Sequence, residues 1–323
     1  MDLFTHVLFA YLVVYGTFGA SATNYIIAGA VAGGLPDGDA FLYPLWKRFP
    51  ILRHHGITHS IFGVTFVALF GGLVVMPYFL SGSPAVFVLV MELGGLTHVF
   101  LDGFTNFSVP PLLPFSSRQF HLDADRAVNF GTMIVTLAAY VLLAYERGRV
   151  ALAIWEWTAW LLLAFYLGYL AIRALGRWRA EHWRRLGGYL EVLPTGNPLR
   201  WLLVFEKDDA SGFTSRWRAF TLGRGARGGE HRISVARRTD IEPGRVASEE
   251  EALSRTLAFS QPRSRFRFET YRFAEVRRTP GFYEVFWYSL EFQMLGRASG
   301  VVAKVDEATG AVVAHPSWRT PSN

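Results

Sequence analysis

Residues 3–36 contain no Lys, Arg, Asp or Glu, a run of 34 positions, and residues 54–91 form a second such run of 38. Two further stretches, 127–145 and 150–172, carry a single charge between them, Glu156. A membrane-spanning helix needs about 20 mostly apolar residues, so each of the longer runs is long enough for more than one helix. Small polar breaks divide them at Ser21-Ala22-Thr23-Asn24 and Ser81-Gly82-Ser83. The pattern predicts six helical segments, at 3–19, 25–34, 60–80, 84–104, 127–145 and 150–172. The second is short, and its Gly29, Gly33 and Gly34 would permit close helix packing. A cleaved signal peptide fits the first segment poorly: no basic region precedes it, Asp2 is acidic, and His6 interrupts the apolar run.

Charge divides the chain in two. Residues 1–172 hold nine acidic and seven basic side chains, against 17 and 25 in residues 173–323. That asymmetry excludes one uniform globular domain. It predicts a membrane all-α N-terminal bundle over 1–175, a basic juxtamembrane linker over 176–198, and a soluble, β-rich α+β domain over 199–323. Six crossings place both termini on one side. The segments on that side hold Lys47, Arg48, Arg53, Arg118 and Arg126, then Arg173, Arg177, Arg179, Arg184 and Arg185; the opposite turns hold Arg147 and Arg149. Positive charge favours the cytoplasm, so both termini are expected there, in a multi-pass inner-membrane protein. The chain has no cysteine, which excludes a disulfide scaffold, a Cys-liganded metal and a Cys nucleophile.

Past the turn-rich 194–198 the pattern is β: an apolar strand at 201–205, alternation at Phe266, Phe268 and Thr270, an aromatic strand at 282–290, and a hairpin at 301–314, with one helix over 249–259. The basic surplus of this half has no zinc-finger, helix-turn-helix or RNA-recognition pattern beside it. An anionic bilayer surface accounts for the charge equally well, and nucleic acid is not an expected partner.

The chemistry sits in the charge-poor half. His6, His54, His55, His59 and His98 lie there, with Asp37, Asp39, Glu92 and Asp102. Ionisable groups are costly in membrane segments, so each is a functional candidate. All but Glu92 fall near the helix ends assigned to the cytoplasmic side. His98 and Asp102, at i and i+4, share a helix face. Pro36 should end the second helix and leave Asp37 and Asp39 on a loop. His121, Asp123 and Asp125 read as a surface loop and helix N-cap. Mixed His and carboxylate donors suit a divalent transition metal, Zn²⁺ first, Mn²⁺ or Fe²⁺ otherwise, as one or two ions.

Three ordered motifs, Leu35-Pro36-Asp37-Gly38-Asp39, His54-His55-Gly56-Ile57-Thr58-His59-Ser60 and Gly95-Leu96-Thr97-His98-Val99-Phe100-Leu101-Asp102, resemble the family of inner-membrane-bound, metal-dependent hydrolases, some bacterial members of which are under LexA control. The proline-rich 110–115 is similar to that family's loop, and the resemblance covers about residues 1–145. It implies metal ligands at Asp37, Asp39, His54, His59, His98 and Asp102, with His6 as a further one. His55 stands where the family usually has Arg; it could be an added ligand, a general acid or base, or neutral. The expected activity is hydrolysis of a phosphoester or ester of a membrane lipid or amphiphile, with water activated at the metal, Asp39 and His55 taking catalytic roles, and Thr58, Thr105 and Asn106 supporting the ligands. The alternative is a non-hydrolytic membrane metal-binding protein that transports, senses or is held together by its metal.

Overall fold

The computed structural model describes residues 1–45, 48–146, 152–226, 228–236, 245–259, 272–294 and 297–319. Lys47, Arg147 and Arg149 of the orientation argument, and the alternation at Phe266, Phe268 and Thr270, lie outside them. The chain forms two compact units, Met1–Leu175 with Thr195–Pro198, and Gly176–Pro194 with Leu199–Asn323.

The first unit is helical. Its elements are α1 (Leu3–Phe18), α2 (Thr23–Gly34), α3 (Ile61–Phe70), α4 (Met76–Phe79), α5 (Pro84–Phe104), α6 (Phe130–Glu146) and the start of α7 (Leu152–Gly187). A π-helical turn, Gly71–Val75, joins α3 to α4, so the two run as one apolar helix from Ile61 to Phe79. Among the described residues, three helices are long and apolar enough to cross a membrane: Ile61–Phe79, Pro84–Phe104 and Ile154–Gly187. These elements follow the six segments expected from the uncharged runs.

At 1.5 Å per residue α2 is roughly 18 Å long, well short of a bilayer core. It packs as an antiparallel hairpin against α1, and its end returns to the start of α1. A Cβ on Gly33 would lie 2.4 Å from Ala10 Cβ and 3.0 Å from the His6 carbonyl oxygen. Close approach of α2 and α5 depends on Gly94, where a Cβ would come within 2.1 Å of the Gly29 carbonyl. Backbones this near draw on van der Waals contact, the main attraction between helices in lipid. Leu8, Leu12, Ala28, Phe87, Val90 and Met91 form the buried centre, while Phe66, Phe70, Leu89, Ile134, Val141 and Leu161 face outward.

The second unit begins inside α7, which continues unbroken through the basic stretch to Gly187 before β1 (Glu191–Pro194). β1 pairs with β2 (Arg200–Asp209), which continues through β3 (Gly212–Thr221) to β4 (His231–Ala236) as an antiparallel meander. After α8 (Glu249–Thr256) a second meander follows: β5 (Arg272–Thr279), β6 (Phe282–Met294), β7 (Arg297–Asp306) and β8 (Val312–Arg319). Residues from both sheets and α8 share a core around Phe213, Val235, Ala252, Val285 and Trp287. α8 starts where Ser248 caps the Glu251 amide and three glutamates occupy the first turn, complementing the helix dipole.

Candidate metal centre

Three chain segments bring the motifs together at one end of the helical unit. α2 stops at Leu35 because Pro36 has no N–H to continue it, and the chain tightens into a 3₁₀ stretch, Pro36–Leu45, that carries Asp37 and Asp39. A second 3₁₀ turn, Ile57–His59, carries His59, and Ser60 then caps α3 by accepting from the Gly63 amide. Gly56 starts that turn against the carbonyls of Ile51 and Arg53, which a Cβ would meet at 2.3 and 2.5 Å. α5 supplies His98 and Asp102 one turn apart.

Asp37, His59, His98 and Asp102 converge. His59 Nε2 lies 3.5 Å from Asp37 Oδ1 and 3.4 Å from Asp102 Oδ2; His98 Nε2 lies 3.6 and 3.3 Å from the same two oxygens. These separations are too long for good hydrogen bonds. Four donors each 2.0–2.2 Å from a tetrahedral zinc lie roughly 3.3–3.6 Å apart, the same spacing. His59 Nε2 and His98 Nε2 are buried without a hydrogen-bond partner. Buried polar atoms are rarely left so, and each such case calls for an explanation. A metal ion between the four groups supplies one.

The surroundings set the tautomers. His98 Nδ1 donates to the Gly33 carbonyl at 2.7 Å, which leaves the Nε2 lone pair facing the cluster. His59 Nδ1 lies 3.1 Å from Thr58 Oγ1, and that hydroxyl donates to Asp39 Oδ2 at 2.7 Å. With its hydrogen committed to Asp39, Thr58 accepts from His59 Nδ1–H, and His59 Nε2 is again bare. Asp102 is held through its other oxygen: Oδ1 accepts from the Met1 amino group at 2.6 Å and lies 3.0 Å from His6 Nε2.

Charge reinforces the geometry. Burial opposes charge on His59, yet Asp37, Asp39 and Asp102 carry it up to about 9. Burial would raise the Asp37 carboxyl, but His59 beside it and the nearby His98 and His6 bring it down to about 2. Asp39 falls below the usual carboxylate range in the same way: hydrogen bonds from His54, His59 and Thr58 outweigh its burial. The carboxylates thus hold a positive charge in this place even when it is only a proton.

The other expected residues sit around this group. His6 is fully buried behind Asp102, its ring stacked on His98 at 3.7 Å, with Nδ1 unpartnered. Asp39 lies on the Nδ1 side of His59, its Oδ2 3.4 Å from that nitrogen, and accepts from His54 Nδ1 at 2.7 Å as well as from Thr58. His54 and His55 join His59 in a second group of ring nitrogens. Burial and the neighbouring His59 push His55 down to about 4, so its imidazole is neutral near pH 7. Glu92 accepts from Thr65 of α3 at 2.9 Å, helix to helix. Thr105 donates to the Asp102 carbonyl and closes α5, whereas Asn106 accepts from the Ala127 amide.

The expectation of a surface position for Asp125 is corrected. Its carboxylate is fully buried: Oδ1 lies 3.1 Å from Arg173 Nη2 and 3.2 Å from Asn129 Nδ2, and Oδ2 accepts from Tyr169 at 2.5 Å. Arg173 is also fully buried, and it donates to the carbonyls of Asn197 and Thr195. Tyr169 and Arg173 are i and i+4 on α7, which is the signal in the sequence that they share a face toward one partner. Asp123 is buried too, which corrects the same expectation for it, whereas His121, 2.9 Å from its carboxylate, is exposed.

No curated protein and no solved structure matches the chain. The family model of the YdjM inner membrane protein matches residues 1–180, which include all of the motifs and the whole cluster. The chain therefore belongs to the YdjM inner membrane protein family.

Proposed function

We propose that this protein is an integral inner-membrane metal-dependent hydrolase whose metal is held by Asp37, His59, His98 and Asp102. The observation that carries the reading is the convergence of four donor atoms at 3.3–3.6 Å with two buried imidazole nitrogens unpartnered. Their nitrogen and oxygen donors suit Zn²⁺, with Mn²⁺ or Fe²⁺ as alternatives. Such an ion polarises a phosphoryl or carbonyl oxygen and lowers the pKa of bound water. The chain's own residues do the rest. Thr58 and the Gly33 carbonyl fix the two imidazoles in the ligand tautomer, and Asp39 holds Thr58. His6 and the Met1 amino group orient Asp102.

The substrate class is a phosphoester or ester of a lipid or amphiphile. The supporting observation is placement: the cluster lies at the end of apolar helices whose outer faces carry Phe62, Phe66 and Phe100. The Lys and Arg distribution supports a cytoplasmic position for this end and for both termini.

The test is metal analysis of the purified protein with a panel of lipid and water-soluble phosphoesters and esters. His59→Ala and Asp102→Ala should each lose the metal and the activity while remaining folded; full metal occupancy in both would overturn the assignment. A reporter fused after Asn323 should read cytoplasmic, and a periplasmic signal would invert the orientation.

One observation favours the non-hydrolytic alternative. The four-residue shell is nearly closed, with three side chains at 0–2% exposure and Asp37 at 21%. Catalytic metals keep an open position. A loaded protein that cleaves nothing in the panel would make this metal structural.

A further inference from the structure

The loop before His59 holds histidines that the four-residue cluster does not use. His54, His55 and His59 each present one ring nitrogen, and these nitrogens lie within 4.8 Å of one another. The rings are close: His54 and His55 are 4.3 Å apart between centroids, and His55 stacks on His59 at 4.6 Å. Consecutive residues in an extended chain would send their side chains to opposite sides. Here His55 occupies the left-handed backbone region, with φ of 59°, a conformation that costs a non-glycine residue about 1 kcal/mol or more. That turn lets adjacent rings meet, and Phe107 supports the His55 ring edge-on at 4.8 Å.

Both side chains are set in the form that binds metal. His54 Nδ1 faces Asp39 Oδ1 at 2.7 Å, and His55 Nδ1 faces the Ser108 carbonyl at 3.2 Å. A carboxylate and a carbonyl only accept, so each Nδ1 bears the hydrogen and each Nε2 keeps its lone pair. A carboxylate or carbonyl on the second ring nitrogen is the usual support of a metal-ligating histidine. Exposure separates the two groups: the His54 side chain is 39% exposed and His59 is 0%.

We propose that His54 and His55 hold a second divalent transition-metal ion, beside the ion assigned to Asp37, His59, His98 and Asp102. The proposal rests on that assignment and deepens it. His59 borders both sites, and its Nε2 faces Asp37 and Asp102, so the outer ion takes two protein imidazoles and keeps its remaining positions open. Imidazole donors select an ion of the Zn²⁺, Co²⁺, Ni²⁺ or Cu²⁺ kind over Mg²⁺ or Ca²⁺. The inner site is the more buried and the outer one the more accessible, so an outer ion would add open coordination positions beside the inner one.

The test uses the full-length protein in detergent, stripped with a chelator and titrated with Co²⁺, the bound ion being counted by elemental analysis and followed by visible absorption. Wild type should take up two equivalents, the second more weakly. The His54→Gln/His55→Gln variant should take up one, and that retained equivalent shows that it has folded. Asp102→Asn should lose the tight equivalent. Saturation of the wild type at one equivalent, with that equivalent lost in Asp102→Asn, would overturn the outer site and leave the inner one standing. Two equivalents in the double histidine variant would overturn the outer site as well. None in that variant, if it remains monodisperse and helical by circular dichroism, would show that the histidines belong to a single site. Unchanged uptake by Asp102→Asn would instead overturn the inner assignment.

Discussion

Among the described residues of the helical unit, the buried charged clusters around Asp125 and Asp102 differ in what their polar atoms find. Around Asp125, both carboxylate oxygens have donors at hydrogen-bond distance, from Arg173, Asn129, the Arg126 amide and Tyr169. Around Asp102, the nitrogens of His59 and His98 approach carboxylates at 3.3–3.6 Å and are satisfied by none. Burial is nearly the same in both. Burial of charge therefore does not distinguish a structural cluster from a ligand site; satisfaction does. A cluster whose carboxylate is paired on both oxygens holds parts of the chain together, here α7, the 105–129 loop and Thr195–Pro198. One whose unpaired nitrogens stand at the spacing of a coordination sphere could hold a metal ion.

That contrast can be broken most sharply by removing one ion-pair partner at a time. Arg173→Met should leave Asp125 buried without its cation, at a cost of about 3–5 kcal/mol, measured as a fall in thermal or denaturant stability. The variant that remains folded should keep the metal content of the wild type. Loss of metal with stability unchanged would erase the difference between the clusters. Asp102→Ala should drop metal occupancy to background, and its stability should fall by more than the melting shift that chelation produces in the wild type, because the variant also strips the buried Met1 amino group and His6 of their carboxylate.

A smaller effect is expected at Thr58, which touches His59 and Asp39 but is not among the convergent donors. Thr58→Val should weaken metal affinity by about 10–100-fold with unchanged stoichiometry at saturation. Titration curves that superimpose on the wild type would remove Thr58 from the site's support.

The smallest effect is in pH. In metal-free protein His59 is raised from 6.5 to about 9, so its protonation stabilises the fold fully below about pH 6.5. That contribution should fade as pH rises through about 9. Metal displaces the same proton, so binding near pH 7–8 should release it and affinity should rise toward pH 9. The readout is proton release on adding metal to weakly buffered protein. No release would mean that His59 is already neutral and that the carboxylates are not acting on it. His59→Gln should abolish the release.

The helical half was legible because its signal is local. Uncharged runs and polar breaks mark where a helix can persist in lipid, and α1, α2, α5 and α6 begin and end within a few residues of those marks. His98 and Asp102 were legible as a pair because one helical turn separates them. The roles of Asp37 and Asp39 were not separable by pattern. They stand two apart in a 3₁₀ stretch, where three residues make a turn, so their side chains point roughly 120° apart around the axis. One reaches His59 and the other reaches His54 and Thr58. Asp125 misled for a related reason: an acidic residue before a helix resembles a cap, and its true partner, Arg173, is 48 positions further along the chain.

The sequence by itself determined the division into an apolar helical half and a basic β half, the helix ends, and the set of ionisable residues collected near them. These follow from solvation and from periodicity, which act over one turn or one strand. Only the tertiary structure decided which members of that set meet. Ligand geometry depends on tenths of an ångström between side chains on α5 and two 3₁₀ turns, and that distance is set by how closely α1, α2 and α5 pack at Gly33 and Gly94.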